Sequence, residues 1–264
     1  MMKVDYDAKN RKLPKVTVII PVYNGQEYIV QAIRSVLDQS WKGTIELIII
    51  DDCSSDETAK VVTEFIADRN NSRCQISYCR NDRNLGVAEC RNKGIRMAQS
   101  PYVAFLDADD WWDADKLEKQ FGIIEQSGCV LCATGRELMT PEGTSTGKVI
   151  GIPERITYKQ LLKTNTIPCS SVVMETEVAR EFYMCRDDLH EDYILWLKVL
   201  QKYHFAIGID EPLLKSRLSR GGKSRNKLKS AKMQFGVYRY LGFGILRSAY
   251  YFCNYAIHGF LKYH

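Results

Sequence analysis

Short, uninterrupted apolar runs alternate with stretches of helical periodicity through the first half of the chain. Val16–Ile20, Ile45–Asp51 and Tyr102–Asp107 carry runs of apolar residues and read as strands, with Gln75–Cys79 a weaker one. Gln26–Gln39, Asp56–Ala67, Val87–Ala98 and Asp115–Gln126 space their apolar residues at three and four and read as helices. Strands that are apolar on both faces, alternating with helices, predict βαβ units and a mostly parallel sheet covered on both sides. Ser55 or Asp56 is placed to cap the second helix.

The second half is less regular. Cys129–Thr134, Ser171–Glu175 and Phe205–Ile209 read as strands, and Tyr158–Lys163 and Glu191–Tyr203 as helices. Thr140–Gly147 is turn-rich, and Ser216–Lys229 is a basic loop with a Gly-Gly hinge. From about Ser230 the pattern is helical and aromatic.

Ligands of an open parallel sheet bind beyond the carboxyl ends of its strands. Three distinctive segments fall there: Pro21-Val22-Tyr23-Asn24-Gly25, Asp51-Asp52 and Asp107-Ala108-Asp109-Asp110. Carboxylates gathered on one rim repel one another and repel phosphate. They make sense together around a divalent cation, since Mg2+ and Mn2+ take oxygen ligands and share them with phosphates. Against this stands the ordinary use of Asp in turns and helix caps, which accounts for one such pair more easily than for two.

The order of motifs is more specific. Val16-Thr17-Val18-Ile19-Ile20-Pro21-Val22-Tyr23-Asn24 resembles the opening of inverting glycosyltransferase family 2, of the GT-A fold. So do Glu46–Thr58, Asn84–Ile95, Tyr102–Asp110 and His190–Trp196, in the family's order, over about residues 15 to 225. The resemblance is closest to bacterial surface-polysaccharide enzymes. It implies an α/β GT-A domain over 1–225, with a nucleotide-sugar half at about 15–112 and an acceptor half at about 113–225. Residues 226–264 form a helical tail.

The resemblance also implies roles. Tyr23 would stack on the nucleotide base, with Pro21 and Val22 shaping the pocket. Asp52 would accept the uracil N–H. Arg91 would reach a phosphate or pair with the acidic rim. Asp107 and Asp109 would border the diphosphate, with Asp109 the direct ligand of Mn2+ or Mg2+. Asp192 would be the general base and Glu191 the second candidate. Arg217, on a loop closing over the diphosphate, would contact the nucleotide. Trp111 and Trp112 face a sugar or pack in the core.

Charge changes the picture at one end. The chain of 264 residues carries a net +5, yet eleven basic residues and no acidic one follow Glu211. A cationic, aromatic tail points to an anionic membrane surface, with packing on the catalytic domain as the competing reading. No recognition module accompanies it, so nucleic acid is not expected. Nine Cys, mostly in apolar stretches, suit a reducing compartment, and the lone pair Cys129 and Cys132 lacks the partners of a zinc site. With no apolar signal core in Met1–Lys15, the expected location is cytoplasmic, peripheral on the inner membrane face.

The expected reaction moves a hexose or N-acetylhexosamine from a UDP-sugar to a polyprenyl-diphosphate-linked saccharide. The alternatives are sugar nucleotidyltransfer and a non-catalytic nucleotide-binding scaffold. Neither motif content nor charge fixes the oligomeric state.

Overall fold

The structure is a computed structural model that describes residues 15–67, 74–185, 188–218 and 227–263. Four strands open the fold: β1 (Val16–Val22), β2 (Ile45–Asp51), β3 (Cys74–Arg80) and β4 (Tyr102–Phe105). They are mutually parallel in the order β3-β2-β1-β4, with α1 (Ile29–Leu37), α2 (Thr58–Ala67) and α3 (Val87–Met97) between them in sequence. All seven residues of β1 are buried, which is why its sequence shows no polar alternation. Register aligns Val22 with Asp51 and Ile19 with Phe105. The carboxyl ends of β1, β2 and β4 therefore open on one rim, and Tyr23, Asp52 and Asp107 follow there.

Helix α3 lies close on β1 because Gly94 has no side chain. A Cβ at Gly94 would stand 2.5 Å from Ile19 Cγ2, and Ile19 is itself fully buried. Gly94→Ala is expected to cost about 1–3 kcal/mol by overpacking, read as a lower urea midpoint at unchanged m-value.

Direction reverses at β9 (Val173–Glu175), which runs antiparallel to both β4 and β6 (Leu131–Met139). The start of β9 thus lies beside the end of β4. The 3-10 turn Cys169–Ser171 that precedes it is brought against Asp107, whose N–H donates to Ser170 Oγ at 3.1 Å. Beyond β6 comes β10 (Phe205–Arg217), parallel to it, and then β5 (Trp111–Trp112). The loop leaving β4 makes a turn, closed by Asp110 N–H to Asp107 O at 3.1 Å, before it reaches β5. Two antiparallel strands complete the ten: β7 (Ser145–Ile150) on β6 and β8 (Arg155–Thr157) on β10.

Four helices cover the later strands: α4 (Lys116–Ser127), α5 (Tyr158–Leu161), α6 (Thr176–Phe182) and α7 (Glu191–Tyr203). Helix α7 is buried along most of its length, and its first turn faces the rim. The last two helices, α8 (Lys227–Tyr240) and α9 (Ile245–Tyr263), form a hairpin whose Val237, Tyr238 and Phe243 join the same apolar core as α7. Tyr238 Oη donates to the Leu162 carbonyl at 2.9 Å.

Several expectations need amendment. Strand β10 continues to Arg217 rather than ending at Ile209, with a register shift between Ile209 and Leu214. Ser216 and Arg217 are strand residues and not part of a loop; residues 219–226 of that expected loop lie outside the described residues. The turn-rich segment after Met139 is the tip of the β6–β7 hairpin, closed by Thr140 N–H to Thr144 O at 2.8 Å. The cationic tail does pack on the body through α8.

Candidate active site

A cleft of about 680 Å3 opens at the rim, lined by Tyr23, Arg91, Asp107, Asp109, Asp110, Glu191 and Asp192 among others. It is a size ordinary for a small-molecule site. Residues from the nucleotide half and from α7 share it, and Arg91 is the fastener between them. Its Nη2 donates to Asp107 at 2.6 Å and its Nη1 to Glu191 at 2.9 Å, from a residue only 4% exposed. Of the two expectations for Arg91, pairing with the acidic rim is the one observed.

That pairing leaves a surplus of negative charge. Burial, then the neighbouring Asp107, pushes Asp109 up to about 6. Burial and the charges of Asp109 and Asp107 hold Asp110 well above the usual carboxylate range, although its Oδ1 accepts the Arg217 N–H at 2.9 Å. Across the cleft, burial and then Glu191 push Asp192 up to about 7, against the opposing pull of Arg91. Its Oδ1 accepts its own helix's Tyr193 N–H at 2.7 Å.

Carboxylates with raised pKa values on a shared wall fit a cation. Among the described residues, no group of three or more His, Cys, Asp or Glu could hold a metal alone. A hard divalent ion bound partly through a nucleotide's phosphates needs only one or two protein carboxylates. Asp109, with Asp107 beside it, meets that lesser requirement.

The acidic loop is braced from behind. Trp112 is buried, and its Nε1 donates to the Ser170 carbonyl at 2.7 Å. The fully buried Lys116 ammonium sits 3.9 Å from the Trp112 ring centroid and donates to Gln120 Oε1 at 2.6 Å. Burial lowers the Lys116 pKa to about 7. Gln120 Nε2 in turn donates to the Ser171 and Cys132 carbonyls, both at 3.0 Å. Of the expected roles for Trp111 and Trp112, packing is what the structure exhibits.

Arg217 requires correction. Its Nε donates to the Asp109 carbonyl at 3.0 Å, Nη1 to Pro141 O at 2.7 Å and Nη2 to Gln31 Oε1 at 2.6 Å. The guanidinium also lies over the rings of Tyr28 and Trp111, at 4.4 and 4.9 Å. Rather than a mobile phosphate clamp, it is a latch that ties β10 to the acidic loop and α1.

Asp52 likewise faces inward. It is 4% exposed, and its two oxygens accept from Asn81 Nδ2, Leu85 N–H and Gly86 N–H, each at 2.8 Å. The carboxylate organises the turn into α3 and does not line the cleft. Pro21 and Val22 are buried at the end of β1, while Tyr23, 55% exposed, lines the cleft. The cleft also takes in residues with no motif to announce them: Arg136, Thr166, Ser170, Met233 and Tyr255. Tyr255 belongs to the aromatic tail, where the sequence suggested a membrane-facing or packing role and no place in the cleft.

Comparison with known proteins decides the family. A family model described as glycosyl transferase family 2 matches residues 17–177. The chain belongs to glycosyltransferase family 2. TuaG of Bacillus subtilis (strain 168), named for teichuronic acid biosynthesis, is 39% identical over 229 residues, 86% of this chain and 88% of that one. WfgD of Escherichia coli, named a UDP-Glc:alpha-D-GlcNAc-diphosphoundecaprenol beta-1,3-glucosyltransferase, is 34% identical over 249 residues, 94% of each. Among solved structures, the mannosyltransferase PcManGT from Pyrobaculum calidifontis, in complex with GDP-Man and Mn2+, superposes with a TM-score of 0.69 at 17% identity, over 90% of this chain and 70% of that one. S. aureus TarS 1-349 in complex with UDP-GlcNAc gives the same score and identity, over 90% and 69%. This family 2 glycosyltransferase therefore has the GT-A fold that its motif order implied. No helix among its described residues is long and apolar enough to cross a membrane.

Proposed function

We propose that this glycosyltransferase moves a hexose or N-acetylhexosamine from a UDP-sugar to a lipid-linked saccharide, inverting the anomeric centre, with Mn2+ or Mg2+ held at Asp109 and Asp107. The observation that carries it is the cleft itself: an acidic wall at Asp107–Asp110, and on the first turn of α7 a separate carboxylate of raised pKa, Asp192, whose neighbour Glu191 is tied through Arg91 to Asp107. A single displacement needs these two functions apart. Asp192 takes the proton of the acceptor hydroxyl, and that oxygen attacks the anomeric carbon on the face opposite the departing diphosphate. The cation supplies charge neutralisation for the nucleoside diphosphate as it leaves. Tyr23, exposed on the nucleotide side, offers its ring to the base. WfgD, with its UDP-Glc donor and diphosphoundecaprenol-linked acceptor by name, lends support to donor and acceptor class.

Peripheral attachment at the inner membrane face belongs to the same proposal. On α9, Leu246, Tyr250, Cys253 and Ile257 follow helical spacing along one face, and all four are exposed. Lys232, Arg239 and Arg247 are exposed on the same hairpin. An apolar stripe flanked by cations suits an anionic bilayer surface. Leu246→Glu is expected to reduce co-sedimentation with anionic vesicles while leaving turnover of a short-tailed acceptor unchanged.

The test uses UDP-glucose, UDP-galactose, UDP-N-acetylglucosamine and GDP-mannose with Mn2+ and an N-acetylglucosamine diphosphate on a short alkyl chain. Transfer from one of the UDP-sugars, abolished by EDTA and lowered about 100-fold in Asp109→Ala, is expected. Transfer from GDP-mannose alone would remove the UDP assignment. Transfer indifferent to EDTA would remove the metal.

A further inference from the structure

Tyr255 is the residue of the tail that reaches the cleft on α9, and it arrives with chemistry of its own. It is half-buried, its ring centroid lies 6.5 Å from that of Tyr193, and Tyr193 is the residue next to Asp192 on α7. Tyr193 is fully buried, with its hydroxyl fixed to the Leu161 carbonyl at 2.6 Å. The Tyr255 ring is thereby seated on the same rigid support as the carboxylate, with part of its surface left open. Met233 of α8 lines the cleft as well.

Thr166 lines the same cleft, and its Oγ1 is buried with no hydrogen-bond partner. A buried hydroxyl left unpaired is costly, and the cost is removed when a ligand hydroxyl meets it. An aromatic face beside a hydroxyl-bearing side chain is the chemistry that holds a pyranose: the ring's apolar C–H face lies on the aromatic, and its hydroxyls pair at the edge. Tyr23 supplies the aromatic surface on the nucleotide side, so a second one near Asp192 is left for the other substrate.

We infer that Tyr255, with Thr166 and Met233, forms the subsite for the acceptor's terminal sugar, so that the C-terminal hairpin is part of the active site as well as a surface for the bilayer. The inference rests on the transfer reaction proposed above and adds the residues that select its acceptor. Tyr255 stacks on the sugar and Thr166 pairs with a ring hydroxyl. Together they present another hydroxyl to Asp192. Helix α9 then serves two contacts at once, with Tyr255 toward the cleft and Leu246, Tyr250 and Ile257 outward.

The experiment measures initial rates with the short-alkyl N-acetylglucosamine diphosphate in solution, without vesicles, at varied donor and acceptor. Tyr255→Ala is expected to raise the acceptor KM roughly tenfold, the scale of one aromatic contact. Donor KM and acceptor-independent UDP release stay at wild-type values. Tyr255→Phe, which keeps the ring, stays near wild type. Thr166→Val, close in shape, raises the acceptor KM on its own and guards against a misfolded alanine variant, with thermal midpoints recorded for all three. Wild-type acceptor KM in Tyr255→Ala and Thr166→Val overturns the subsite while leaving the transfer reaction intact. Equal loss on donor and acceptor sides, or a defect that emerges only with vesicles, also overturns it. No transfer by the wild-type enzyme brings down the reaction and the subsite together.

Discussion

Asp192→Asn is expected to lower kcat for transfer by about a thousandfold while leaving UDP-sugar affinity close to wild type. General-base removal costs about 10²–10⁴ in rate, and the amide cannot take a proton. The wild-type carboxyl is pushed up to about 7 by burial and by Glu191. Its charged form is the working form, so the rate should fall about tenfold per pH unit below that value. Asp192→Asn should erase this acidic limb from its residual rate. Stability runs the other way. A carboxyl whose folded pKa is raised above its ordinary 3.8 disfavours folding when charged, most fully above pH 7. The penalty fades as pH falls and is gone below about 4, where folded and unfolded forms are both protonated. The Asn variant should therefore melt above wild type at pH 8 and level with it near pH 4. A variant less active and no more stable at pH 8 would remove the reading of Asp192 as a strained, buried base.

Arg91→Ala should be the most destabilising single change at the site. One guanidinium, 4% exposed, answers both Asp107 and Glu191. Breaking a buried pair from one side costs about 3–5 kcal/mol, because the remaining charges lose the guanidinium that compensates them. Urea unfolding should register the loss, and added salt should restore little of it, since buried pairs are poorly screened. Arg91→Lys should recover only part: an ammonium is a point charge and cannot fork between two carboxylates as guanidinium does. A loss below about 1 kcal/mol in Arg91→Ala would mean that the two halves are held together elsewhere.

The nucleotide half was legible because its information is local. Strands β1, β2 and β4 are continuous apolar runs, β1 and β2 each lead into a helix, and parallel pairing of such units puts their carboxyl ends on one rim. Tyr23, Asp107 and Asp109 could be placed there from sequence order alone. Strands β5, β7 and β8 were not legible. β5 and β8 have two and three residues, β7 is polar and mostly exposed, and β5 is defined by pairing Trp112 with Leu214, about a hundred residues away. Arg217 was read as loop for the same reason: its partners Gln31, Asp109 and Pro141 lie in three distant segments. Asp52 stands where the family motif puts a carboxylate, but nothing in the motif tells which way it turns. The tail was ambiguous because aromatic residues serve core, cleft and bilayer equally, and only packing sorts Tyr238 from Tyr255 and Tyr250.

The Arg217 latch carries a consequence for the newborn polypeptide. Every hydrogen bond that fixes the Asp109 carbonyl and the Asp110 carboxylate from β10 is made by a residue that follows them by more than a hundred positions. While the chain emerges from the ribosome, β1 to β4 can pair in order and Arg91 and Ser170 can engage the acidic loop, yet its hold from β10 is missing until residue 217 is clear of the exit tunnel. Donor-binding surface thus exists before a competent centre does. A translation product halted short of β10 would carry Asp109 and Asp192 but lack the strand that fixes the acidic loop in place.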